Sequence, residues 1–109
     1  MLEPILGSKN AERVLMFILA RDHGYTREIA RFSGADPDSI QKQLVRLELG
    51  GLLVSKSEGR TRVYRFNPRY SFLNELKALL TKALSFYPAD EQESLAVVRR
   101  RPRRKGKLL

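Results

Sequence analysis

The chain has 109 residues, 42% of them apolar, which is enough for one compact domain with a core and too many for a disordered chain. It holds no cysteine and one histidine, His23, which excludes a thiolate metal site, a redox pair and a cysteine nucleophile and leaves no ligand set for zinc. The formal charge of +9 is unevenly spread. Seven of the 21 basic residues (Arg99, Arg100, Arg101, Arg103, Arg104, Lys105 and Lys107) fall in an acid-free stretch at the end of the chain, leaving 14 bases against 12 acids before it.

The longest apolar run, residues 14–20, is far short of a membrane span. The opening "MLEPILGSKN" lacks the basic start and long apolar stretch of a signal peptide, so a soluble, cytoplasmic protein is expected. No carboxylate pair, glycine-rich phosphate loop or Ser/His/Asp set stands out, so neither an enzyme nor a cofactor or metal is expected.

Ser8 is a good N-cap for a first helix running to about Ala20, with Val14, Leu15, Ile18 and Leu19 on one face. "RDHGY" ends it, and a short strand is expected near Tyr25. Thr26 is read as the cap of a second helix, with Ile29, Ala30 and Phe32 facing inward and Ser33-Gly34 closing it. Asp36 caps a third helix and Pro37 takes its first position, where the missing N–H costs nothing. Ile40, Leu44 and Leu47 mark its buried stripe, and Gly50-Gly51 terminates it. "LLVSKSEGRTRVYRF" then reads as a hairpin turning at Ser57-Glu58-Gly59, with Tyr64 and Phe66 toward the core. A fourth helix is predicted over 71–86, with apolar residues in two stripes, 72, 76, 79, 83, 86 and 73, 80, 84, 87; Pro88 stops it.

The spacing Ala30-x3-Gly34-x5-Ile40-x3-Leu44 suits two helices that cross closely around a tight turn. Together with "LELGGLL" and a basic hairpin ending in "YRF", it resembles the winged helix-turn-helix transcriptional regulators, in particular their ArsR-like and MarR-like branch. The resemblance spans roughly residues 8–87 and implies an α+β fold: a three-helix core with a two-stranded wing over 1–69, a C-terminal dimerisation helix over 70–88, and an acidic-then-basic flexible tail over 89–109.

The function implied is sequence-specific binding of double-stranded DNA by a nucleoid-associated, homodimeric repressor. By the same resemblance the third helix would read bases with Ser39, Gln41, Lys42 and Gln43, while Arg46 holds a phosphate. Thr26 and Arg27 would touch the backbone, and Lys56, Arg60 and Arg62 of the wing would follow it or enter the minor groove. Asp36 and Asp38 favour the helix but repel phosphate. The apolar residues of the fourth helix exceed what one core-facing stripe needs and suggest a two-fold contact through Leu73, Leu76, Leu80, Leu84 and Tyr87. The tail is expected to stay unstructured until it meets phosphate, whether of DNA or RNA. The rival reading is a winged-helix adaptor that binds RNA or a protein, with the tail on RNA.

Overall fold

The computed structural model describes residues 1–96. A short helix, α1 (Glu3–Leu6), precedes the main helices α2 (Lys9–Arg21), α3 (Thr26–Ser33) and α4 (Pro37–Leu49). Strands β1 (Leu53–Glu58) and β2 (Thr61–Phe66) form the hairpin, and α5 (Leu73–Leu84) follows. A further helical stretch occupies 89–96. The predicted α+β winged helix is therefore the fold, with six helices and one two-stranded antiparallel sheet among the described residues.

Local chemistry places the boundaries. The Ser8 hydroxyl accepts from the Ala11 amide at 3.0 Å and starts α2. Asp36 caps α4 through the Ser39 amide at 3.1 Å, with Pro37 directly after it. The cap of α3 differs from expectation: Tyr25 holds that position and offers no side-chain bond, and Thr26 is already helical. Gly34 ends α3 in the left-handed region at φ 66°, a conformation that costs a side-chain-bearing residue about 1 kcal/mol or more.

Helix α2 is the centre of the molecule. Val14, Leu15, Met16, Phe17 and Ile18 are all buried, because α1, α3, α4, α5 and β2 each pack against it. Gly24 exchanges backbone hydrogen bonds with Tyr64 (3.0 and 2.8 Å), an isolated bridge where a short strand was expected near Tyr25. A Cβ at Gly24 would stand 2.9 Å from the Phe17 ring, so only glycine allows the loop to lie this close.

The hairpin pairs Leu53 with Phe66 and ends at Glu58↔Thr61, so its turn is Gly59-Arg60, one residue beyond the predicted position. Of these two turn residues only Gly59 has positive φ (67°), as a type II′ turn requires. Tyr64 points into the core, where Phe66 packs beside it; Val63 is buried outside that cluster.

The C-terminal elements correct two expectations. Helix α5 is shorter than predicted, and its Leu80 and Ala83 lie in the same cluster as Val14, Ile18 and Leu44. Helix α5 therefore contributes to the domain core. Residues 89–96 are helical where a flexible tail was expected, and Leu95 is only 5% exposed against the core. The segment is anchored by Gln92, whose Nε2 donates to the Tyr87 carbonyl at 2.8 Å. A cleft of about 530 Å³ remains between it and α2, lined by Glu12, Arg13, Met16, Phe32, Tyr87 and Leu95 among others. The predicted basic tail, Arg99 to Lys107, lies outside the described residues.

Candidate nucleic-acid interface

The crossing of α3 and α4 follows from small and apolar residues. Ala30 and Ile29 are buried on α3, and Ile40, Leu44 and Leu47 on α4. The Ala35 amide donates to the Ala30 carbonyl at 3.0 Å and tightens the turn. With successive side chains 100° apart, the face opposite Ile40, Leu44 and Leu47 carries Asp38, Lys42, Val45, Arg46 and Leu49, and all five are exposed.

That ridge differs from the predicted reading set. Lys42 and Arg46 stand on it, whereas Ser39, Gln41 and Gln43 are half-buried on its flanks. Gln41 is turned inward: its Oε1 accepts from the Thr26 hydroxyl at the start of α3, and its Nε2 donates to the Tyr64 hydroxyl at 3.4 Å. These bonds engage the side chains of both Gln41 and Thr26 in joining α3, α4 and β2. The Ser39 hydroxyl donates to Asp36 at 3.3 Å, and Gln43 accepts from Arg46 Nε at 2.9 Å. Arg46 also donates to the Leu6 carbonyl at 2.9 Å, tying α4 to α1. Arg27 is exposed on the first turn of α3.

Sequence reasoning missed Val45 and Leu49 as outward residues. The signal is in the sequence: the angle from Ile40, Leu44 and Leu47 places them on the outer face.

The wing adjoins this ridge. Lys56, Arg60 and Arg62 are exposed on the hairpin. The Arg62 guanidinium donates to the hydroxyls of Ser55 (2.8 Å) and Ser57 (3.3 Å), and the Ser55 hydroxyl donates to Glu48 of α4 at 2.7 Å. A polar chain thus links the wing to the end of α4. Arg65 pairs with Glu58 at 3.7 Å, an exposed contact worth little energy.

The predicted dimer-contact residues separate into two groups. Leu80 is wholly buried in the chain's own core and has no surface to offer a partner, which corrects that expectation. Leu73, Leu76, Leu84 and Tyr87 are half-buried, while Phe72 and Phe86 stand out at the two ends of α5, 63% and 66% exposed. The Tyr87 hydroxyl donates to Glu12, a buried carboxylate that also accepts from the Leu2 amide at 2.7 Å and the terminal ammonium at 3.2 Å. Burial works to raise the Glu12 carboxyl, but these donors prevail and hold it below the usual carboxylate value; burial and the same bond push the Tyr87 phenol upward. Among the described residues no cluster of three His, Cys, Asp or Glu side chains is arranged to hold a metal ion, and no helix is long and apolar enough to cross a membrane.

No family model and no curated protein matches the sequence. Solved structures do match. One is a variant of ZitR from Lactococcus lactis in apo form, at 18% identity, covering 83% of this chain and 76% of that one with a TM-score of 0.55. A MarR-family transcriptional regulator from Rhodococcus sp. RHA1 matches at 19% identity over 91% of this chain and 76% of that one, TM-score 0.55. The adhesin competence repressor AdcR of Streptococcus pyogenes matches at 11% identity over 86% and 78%, TM-score 0.51. At these identities the likeness is one of architecture, and the chain has the winged helix-turn-helix fold seen in such regulators.

Proposed function

We propose that this chain binds double-stranded DNA as a transcriptional regulator, acting in the cytoplasm as a homodimeric repressor. The observation that carries the reading is the exposed ridge of α4, with Lys42 and Arg46 on it, hydrogen-bonded through Glu48 and Ser55 to a wing bearing Lys56, Arg60 and Arg62. A helix of this width fits the major groove, and a cationic hairpin beside it meets the adjacent backbone or minor groove. The names of its fold relatives, a transcriptional regulator and a repressor, support the same assignment.

In this reading Lys42 contacts a guanine edge, with Ser39 and Gln43 on the flanks of the ridge. Arg46 and Arg27 hold phosphates, and Gln41 with Thr26 keeps α4 in place. The two-fold contact runs through Phe72, Leu73, Leu76, Leu84, Phe86 and Tyr87 of α5 and its continuation, which would set two α4 ridges about one DNA turn apart. The basic tail adds backbone affinity.

The test is selection of bound duplexes from a random pool, followed by competition of the selected duplex against structured RNA at two salt concentrations. The expected result is one enriched, partly palindromic duplex that displaces RNA at both. RNA winning at both salts, or no enrichment, would overturn the proposal in favour of an RNA or protein adaptor.

A further inference from the structure

The outward ridge of α4 contains two aliphatic residues that the core does not use. Val45 is 41% exposed and Leu49 is 84% exposed. They continue the stripe begun by Asp38 and Lys42, at successive spacings of four, three and four residues, so all four lie one above another along the helix. An aliphatic pair presented to water on an otherwise polar face loses favourable burial unless a partner covers it.

The surroundings limit what that partner is. Lys42 and Arg46 stand on the same face as Val45, one helical turn or less away, and the cationic wing is linked to the end of this helix. A purely apolar protein surface laid over Val45 would have to desolvate those cations without compensation. A DNA major groove would not: it meets the cations with phosphates and guanine edges. The one apolar group it shows at base level is the thymine 5-methyl.

Building on the DNA-binding reading above, we infer that Val45 is a specificity-determining residue that packs against a thymine 5-methyl group in the major groove. Its branched side chain suits the task. The two γ-methyls are held in essentially one rotamer by the helix, so the contact is made with little loss of side-chain freedom. Lys42, one turn earlier on the stripe, spans a rise of about 4.5 Å from Val45, a little over one base-pair step, and so addresses a neighbouring pair. Leu49, at the end of the helix, extends the same apolar strip.

The experiment uses the full chain, the duplex selected from the random pool, and copies of that duplex in which each thymine is replaced singly by uracil, which pairs identically but lacks the methyl group. The wild-type chain is expected to bind one uracil copy per half-site about fourfold more weakly, the worth of one buried methyl group. Val45→Ala is expected to bind the thymine and uracil copies alike, with an unchanged circular dichroism spectrum. Equal wild-type affinity for every uracil copy, or undiminished discrimination by Val45→Ala, would overturn the inference while leaving DNA binding intact. Failure to enrich any duplex would instead overturn the DNA-binding reading, and the inference with it.

Discussion

Gln41 shows how a polar residue on α4 acquires a structural task. Its amide bridges the Thr26 and Tyr64 hydroxyls, and Tyr64 is itself only 2% exposed. Removing the amide leaves a buried hydroxyl with a lost partner, at a cost of about 1–3 kcal/mol. Gln41→Ala is therefore expected to lower the denaturation midpoint and to weaken binding to all duplexes by a similar factor. Gln43→Ala, by contrast, should relax sequence preference with little loss of stability; binding to a panel of single-base variants distinguishes the two. Glu12 supplies a pH dependence. Its carboxyl is depressed in the folded chain, so the stability it contributes is present above the unfolded carboxylate value and is lost as pH falls through the folded one. Thermal melts taken downward through the carboxylate range should show an acid limb that Glu12→Gln lacks. Neither network was legible in the sequence. Gln41 lies 15 residues from Thr26 and 23 from Tyr64, and Tyr87 lies 75 from Glu12, so no local pattern records these contacts.

Among the elements, α5 carries the sharpest contrast. Its apolar positions read as two stripes, and the sequence could not say which one the core takes. The structure takes neither stripe whole: Leu80 of one and Ala83 of the other lie against α2, and Phe72 and Phe86 are left outside. Leu80→Lys is therefore expected to unfold the domain, since truncating a buried leucine alone costs about 2–5 kcal/mol and a buried charge adds to that. Phe86→Lys should leave the melting temperature nearly unchanged and, if α5 pairs two copies as proposed, shift the sedimentation profile to monomer. Helices α2, α3 and α4 were legible because their start and stop signals are local: Ser8, Asp36-Pro37, Gly34 and Gly50 act within a turn of themselves. Helix 89–96 was not. Its one core-facing anchor, Leu95, sits in a polar stretch and gives no periodic signal.

For the molecule as a whole, charge and fold act separately. The acid-free stretch holds seven cations and no acid, so the contribution proposed for it is electrostatic and independent of base sequence. Deleting residues 99–109 is expected to weaken binding to every duplex alike and to flatten the dependence of affinity on salt, read from titrations at several ionic strengths. An unchanged salt slope would assign the electrostatic contribution to the wing and α4 instead. The sequence by itself determined the order of elements from α2 to α5, the tight turn between α3 and α4 and the cationic hairpin, because capping, glycine φ and strand propensity operate over a few residues. Only the tertiary structure decided which face of α4 looks outward, which polar residues are bound up inside, and that α5 and residues 89–96 close onto α2. Those outcomes rest on contacts between residues far apart in the chain, where packing and the need to satisfy buried polar groups outweigh local preference.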